Sequence, residues 1–471
     1  MNAKIFFGSI EATTENLSER KSPFSGEVVS TAPVCNEEDA NKALKIAQEA
    51  TKATKASTLS QRCSWLLDVA SKLRQNREDI AQTITDEVGK PIAFARIEVD
   101  RCIETVTLSV ETMRTMHGET INTDAMASGK KTTAFYTREP AGVVVAITPF
   151  NFPLNLIAHK LAPALVAGNA VVLKPTPEAP LTAYKFAKLF IDSEYAVKDA
   201  LSVVYGDAEV GSTLITSDIP RVISFTGSVP VGNIITKSAG IKKVSLELGG
   251  NAATYIDKSA DLDLAASRCS LGAFVNSGQV CISLQRIYVN ADIYDEFAQK
   301  MANETKKLVV GSPYNDDTFM GPLIDDEAAE RAMRWVESAT VEGALPLLPM
   351  YRDGRMFHPC VMANVTDDMA IVCEEVFAPI VSLVKVNDFD DALPRMNNSP
   401  YGLQFSVFTN DLSLTQRAIS ELDAGGIVIN DMPTLRFDIQ PYGGVKLSGV
   451  GREGPKFAIE EMTEIKSVVI C

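Results

Sequence analysis

Histidine and tryptophan are scarce in this chain, with three histidines and two tryptophans among 471 residues. His117, His159 and His358 stand far apart and form no HExxH or similar set, so no metal site is expected. A Ser-His-Asp hydrolase finds no GxSxG elbow to support it. No apolar run reaches the ~18 residues of a membrane helix, so no membrane association is expected. Basic residues number 45 against 60 acidic ones, a formal net charge of −15. No basic run stands out, which argues against nucleic acid as a partner, and an acidic surface has no attraction to an anionic bilayer. An anionic substrate or cofactor would need a local basic pocket. The eight cysteines form no CxxC pair. The start, MNAKIFFGSIEATTENL, has neither a long apolar core nor a cleavage pattern. Both features fit reduced thiols in a cytoplasmic protein.

What is present is an ordinary globular composition, 46% hydrophobic and 22% charged. The length suggests roughly three domains. After a short start, Asn36-Glu37-Glu38-Asp39 caps a first helix, and a second begins near Ser60 with Trp65, Leu66, Val69 and Leu73 on one stripe. Residues 130–136 (KKTTAFY) read as half of a hairpin in an interaction arm. From Ala141 short apolar runs alternate with helical segments. Strands are expected at 143–147, 170–173, 201–205, 222–225 and 243–248. Helices are expected at 154–167, 184–191, after Val210, and from Ser228 as N-cap. This alternation predicts a parallel sheet with helices on both faces. The second half repeats an α/β pattern: helix 262–275, strand 286–289, helix 293–308, strands 380–384 and 406–408, and a terminal strand 465–470.

Ligands bind beyond the carboxyl ends of such strands. Four of these ends read TPFN, KPTPE, FTGS and ELGG, and none carries the GxGxxG of an ordinary dinucleotide loop. Cys281 follows a helix and a glycine turn in NSGQVC, where backbone N–H groups can stabilise a thiolate. Taken alone it reads rather as a small buried hydrophobe. Glu247 ends a strand and could activate water if burial raised its pKa. Asn151, in TPFNFP, could donate to an oxyanion or simply serve a turn. Lys174 at a strand end could bind ribose hydroxyls. A helix start beside Gly227 can hold a phosphate.

Seven features occur in order: Asn151, Lys174, FTGS at 225–228, ELGG at 247–250, GQVC at 278–281, EEVFAP at 374–379 and GGVKLSGVGREG at 443–454. Together they resemble the aldehyde dehydrogenase superfamily over nearly the whole chain. The resemblance implies a Rossmann-like parallel-sheet cofactor domain, an α/β catalytic domain and a small β oligomerisation arm. The expected boundaries are 1–120 with 141–246 for the cofactor domain, 247–440 for the catalytic domain, and 121–140 with 455–471 for the arm. A homodimer or homotetramer is implied.

The resemblance makes Cys281 the nucleophile, Asn151 an oxyanion donor with the Cys281 backbone N–H, and Glu247 the residue that activates hydrolytic water. It implies NAD or NADP as cofactor. Thr148, Pro149 and Phe150 would line the nicotinamide end, and Lys174 would bind the adenosine ribose. Gly206 and Gly211 would pass near the adenine. Thr226, Gly227 and Ser228 would lie by the pyrophosphate and nicotinamide. Leu248 would sit under the nicotinamide, and Glu375 would hold its ribose with Phe377 alongside. Glu453 matches a glutamate sometimes placed in a proton path. One position departs from the family. NAD-preferring members often carry Glu three residues after the strand-end Lys, and here that residue is Pro177, with Glu178 one later. NADP or dual use is therefore the expectation.

The branch resembled contains lactaldehyde, non-phosphorylating glyceraldehyde-3-phosphate and phosphonoacetaldehyde dehydrogenases. A small hydroxylated or anionic aldehyde follows as the substrate, with His159, Arg101 and Arg286 as candidate anchors for an anionic tail. Val280 in place of Arg before Cys281 weakens a sugar-phosphate substrate. The alternative function is a CoA-acylating semialdehyde dehydrogenase, which needs no water-activating Glu.

Overall fold

A computed structural model describes residues 2–471. The chain opens with four short strands, Ile5–Phe7, Ile10–Ala12, Leu17–Lys21 and Val28–Pro33, and only then turns helical. The first helix, Glu37–Ala56, starts in a capping box: the Asn36 side chain accepts the Asp39 N–H while Asp39 accepts the Asn36 N–H. Helix Leu59–Gln75 buries the expected stripe, and the Trp65 ring nitrogen donates to the Phe190 carbonyl at 2.8 Å.

The alternating region forms a sheet whose parallel core runs through Leu201–Val203, Ala170–Lys174, Val143–Ile147, Val222–Thr226 and Lys243–Glu247. Ile5–Phe7 with Ile10–Ala12 flanks it on one side and Gly449–Val450 on the other, both antiparallel. The central strands are buried on both faces, which is why they read as unbroken apolar runs. Several boundaries differ from expectation, among them the helix expected at 184–191, which starts at Pro180. The third strand stops at Val203, and the following helix already begins at Ala208. Ser228 does occupy the N-cap of helix Val229–Ser238, but its side chain makes no capping bond.

A second sheet of seven strands follows, with Ala252–Ile256, Leu284–Asn290, Ile380–Val386, Gln404–Phe408 and Gly426–Ile429 parallel. A third sheet stands apart. Its terminal strand Thr463–Ile470 pairs antiparallel with Thr133–Pro140, which pairs with Thr120–Ile121. Among the described residues no helix is long and apolar enough to cross a membrane.

Candidate active site

The cysteine is aimed by a strained turn. After helix Leu262–Phe274 three successive residues adopt positive φ: Asn276 (52°), Ser277 (56°) and Gly278 (72°). Left-handed backbone costs a non-glycine residue about 1–3 kcal/mol, so something must hold it. Asn276 Nδ2 donates to the carbonyls of Asn151 and Gln279, each at 3.3 Å, and Ser277 Oγ donates to the Gly321 carbonyl at 2.8 Å. Gly278 admits no side chain, since a Cβ there would lie 2.2 Å from the Ala378 carbonyl. The turn leaves Cys281 half-buried on the wall of a cavity of about 580 Å³.

Asn151 and Glu247 line the same cavity. Asn151 sits in the loop between strand Val143–Ile147 and helix Asn155–Val166. That helix has no capping side chain of its own. Glu98, from helix Ile92–Thr115, accepts the Leu154 and Asn155 N–H groups at 2.9 and 3.1 Å, and the buried Lys90 ammonium neutralises Glu98. Asn151 Oδ1 accepts the Phe152 N–H at 3.1 Å, which orients the amide and leaves its NH₂ free to donate. Glu247 ends its strand beside Thr226, its partner in register. Both Glu247 carboxylate oxygens are buried without a hydrogen-bond partner among the described residues. Gly443 keeps that space open, because a Cβ there would lie 2.8 Å from Glu247 Oε1.

Two carboxyl groups in this cavity ionise very differently. Burial, reinforced by the nearby Glu453 charge, pushes Glu247 well above the ordinary range. Burial acts on Glu453 as well, but the Lys160 and Arg436 charges outweigh it and hold Glu453 below the ordinary carboxylate range. Lys160 Nζ and Arg436 Nη2 each lie 3.1 Å from the Glu453 carboxylate. Burial pushes the Cys281 thiol up to about 12, opposed by a hydrogen bond with Tyr442 and by the Arg436 charge.

The candidate cofactor residues fall in two places. Pro149, Phe150, Thr226, Gly227, Ser228, Leu248, Glu375 and Phe377 line the cavity with Cys281. Leu248 packs against Gly232, and Glu375 accepts the Gly250 N–H at 3.0 Å. Burial lifts the Glu375 carboxyl to about 7. The Phe377 ring meets Phe150 edge-on, centroids 6.0 Å apart. Thr148, Lys174 and Gly206 lie off that cavity, at or just beyond the carboxyl ends of neighbouring strands, and Gly211 lies off it in helix Ala208–Thr216. A Cβ at Gly211 would lie 3.9 Å from the Lys174 side chain.

Of the three candidate anion anchors only Arg101 reaches the cavity. Arg286 is buried in strand Leu284–Asn290, spending its guanidinium on the Asn251 side chain and carbonyl and on the Arg395 carbonyl. It is structural, and the expectation of an anchor there is corrected. His159 is corrected too: it is buried, and burial with the Arg436 charge lowers its pKa, so it is neutral near pH 7. Its Nε2 lies 3.0 Å from Asp438 Oδ1 and 3.1 Å from Arg436 Nη2, and it can donate to the first or accept from the second.

The aldehyde dehydrogenase family model matches residues 10–468. The chain belongs to the aldehyde dehydrogenase family. It is 43% identical over 464 residues to 3-sulfolactaldehyde dehydrogenase of Priestia aryabhattai, covering 98% of this chain and 96% of that one. It is 39% identical to lactaldehyde dehydrogenase of Methanococcus aeolicus, covering 96% and 97%. Among solved structures, the NADP-dependent glyceraldehyde-3-phosphate dehydrogenase of Bacillus halodurans C-125, complexed with NADP, superimposes with a TM-score of 0.98 at 33% identity, covering 100% and 99%.

Sequence reasoning missed two residues that line this aldehyde dehydrogenase's cavity, Arg436 and Tyr442, and two buried charges behind them, Lys160 and Asp438. Lys160 lies next to His159, and Tyr442 directly precedes GGVKLSGVGREG, so position alone could have flagged them. Nothing in the spacing of Arg436 and Asp438 points to residues almost 300 positions earlier.

Proposed function

We propose that this aldehyde dehydrogenase oxidises a small hydroxylated or anionic aldehyde to its carboxylate with NAD or NADP. One observation carries the reading. Cys281, the free amide of Asn151 and the unpartnered carboxyl of Glu247 face a single cavity. The Cys281 sulfur adds to the aldehyde carbon as a thiolate and forms a thiohemiacetal. The Asn151 NH₂ and the Cys281 backbone N–H donate to its oxyanion. Loss of hydride from that carbon leaves a thioester on Cys281. Glu247, once ionised, takes a proton from water, the hydroxide attacks the thioester, and the thiol and the carboxylate product are released.

The residues present fit a nicotinamide nucleotide. Buried Thr148 Oγ1 has no hydrogen-bond partner among the described residues, and burial lowers the pKa of the Lys174 ammonium. Lys174 would hold the adenosine ribose with Gly206 and Gly211 nearby. Glu375, with Phe377, would hold the nicotinamide ribose. When bound, the nicotinamide accepts the hydride that leaves the tetrahedral carbon. Pro177 puts no carboxylate at the usual 2′-hydroxyl position, and Glu178 is engaged by the Thr176 hydroxyl, which supports NADP as well as NAD.

The same reading divides the chain into a cofactor domain (1–120, 141–246), a catalytic domain (247–440) and an arm (121–140, 455–471). Three separate sheets support the division. Exposed Ile465, Val469 and Ile470 on the terminal strand support a homodimer or homotetramer through the arm.

The test is nicotinamide absorbance with purified enzyme, either nucleotide, and a panel of lactaldehyde, 3-sulfolactaldehyde, glyceraldehyde 3-phosphate and succinic semialdehyde. Turnover without CoA or phosphate, abolished by Cys281→Ser, is the expected result. Turnover that requires CoA would replace hydrolysis with acyl transfer to CoA.

A further inference from the structure

Tyr442 has no part in the mechanism above, yet its hydroxyl oxygen lies 3.0 Å from Cys281 Sγ. The Arg436 guanidinium is stacked on the Tyr442 ring, its carbon 3.7 Å from the centroid. Arg436 is itself fixed by Glu453, at 3.1 Å, and by Asp438, at 3.6 Å. While the sulfur is a thiol, either group can be the donor. Once it is a thiolate, only the phenol can donate. Burial raises the Tyr442 pKa well above that of a free phenol, so Tyr442 keeps the proton it would donate. A cation on the ring face draws electron density from the phenol and strengthens it as a donor.

We propose that Tyr442, backed by Arg436, is the donor that holds the Cys281 thiolate for attack. The proposal rests on Cys281 being the nucleophile. Tyr442 touches the reacting sulfur and is catalytic in that sense, whereas Arg436 is a positioning residue. The charged groups around the sulfur make such a donor necessary. Burial disfavours the thiolate, and Glu247 and Glu375 repel it. Arg436 and the Tyr442 hydroxyl favour it.

The test is the rate of iodoacetamide alkylation of Cys281 against pH, in the full-length enzyme and in Tyr442→Phe. Cys281→Ser identifies the signal from this thiol. Tyr442→Phe removes one oxygen atom and keeps the ring beneath Arg436. The expected result is an upward move of the alkylation midpoint by about one to two pH units, the range for losing one hydrogen bond to a charged acceptor. Alkylation at pH 7 then slows at least about tenfold. If Tyr442 only packs against Val280, Ile282 and Leu403, thermal stability changes while the midpoint stays, and the proposal is overturned. Arg436→Lys reads the same coupling should Tyr442→Phe fail to fold: a raised midpoint supports the proposal and an unchanged one overturns it. Alkylation requires no aldehyde oxidation, so this result and the dehydrogenase assay fail independently.

Discussion

Asp438 accepts two hydrogen bonds from Arg101, from Nε at 2.9 Å and Nη2 at 2.7 Å, across 337 positions of sequence. The same carboxylate lies against His159 and Arg436, and hydrogen bonds from His159 and Arg101, with the Arg101 charge, hold it below the usual carboxylate range despite burial. Removing one partner of a buried ion cluster leaves charges uncompensated. Asp438→Ala is expected to cost about 3–5 kcal/mol in denaturant unfolding. It also frees Arg101 within the cavity, so KM for an anionic aldehyde should fall relative to that for an uncharged one. An unchanged KM ratio would show that Arg101 does not reach the substrate.

Asn151→Ala removes the amide donor while Cys281 stays in place. Loss of one oxyanion donor costs about 10²–10³ in kcat. Steady-state turnover should fall by that factor, with the alkylation rate of Cys281 nearly unchanged. Parallel loss of both would make the Asn151 side chain a prop for the Cys281 turn rather than an oxyanion donor.

Glu247→Gln removes the proposed base and should lower turnover about 10²–10⁴-fold, with a thioester accumulating that mass spectrometry can detect. The substitution also has a pH signature in stability. Glu247 has its pKa raised in the folded protein, so from pH 4.5 upward the unfolded chain loses this proton first. The native enzyme therefore loses stability from this group as pH rises. Glu247→Gln should gain relative to the native enzyme on going from acid to alkaline pH, as thermal melting at several pH values would show.

Glu375, held at about 7, is expected to ionise within the working range. Its carboxylate is a stronger acceptor for ribose hydroxyls than its acid form. Nucleotide Kd should fall as pH rises through 7, and Glu375→Gln should bind more weakly with a flat profile. Fluorescence titration at pH 6, 7 and 8 decides the matter.

Pro177→Glu would place a carboxylate beside the expected 2′-phosphate of NADP. Like charges at such a distance are repulsive, and the NADP-to-NAD ratio of kcat/KM should fall about tenfold or more. A ratio that does not move would place nucleotide selection elsewhere than at Pro177.

The sequence by itself determined the parallel strands of the first sheet, the order of the motifs and many of the candidate residues around the cavity, Cys281, Glu247 and Asn151 among them. Val143–Ile147 and its parallel neighbours are legible because a strand buried on both faces must be apolar throughout. Cys281, Glu247 and Asn151 are legible because each sits at a strand end or turn with a characteristic local run. Only the tertiary structure decided which basic side chains are engaged and by what. Arg101, His159, Lys160, Arg436 and Arg286 are equally plausible anchors as letters. Folding sets Asp438 against Arg101 and His159, Glu453 against Lys160 and Arg436, and backbone carbonyls against Arg286. Likewise the Tyr442 contact with Cys281 joins residues 161 apart. Local periodicity reports which face of an element is buried. It carries no information on which distant charge or hydroxyl will fill the remaining hydrogen-bonding positions, because that is fixed when the separate sheets pack.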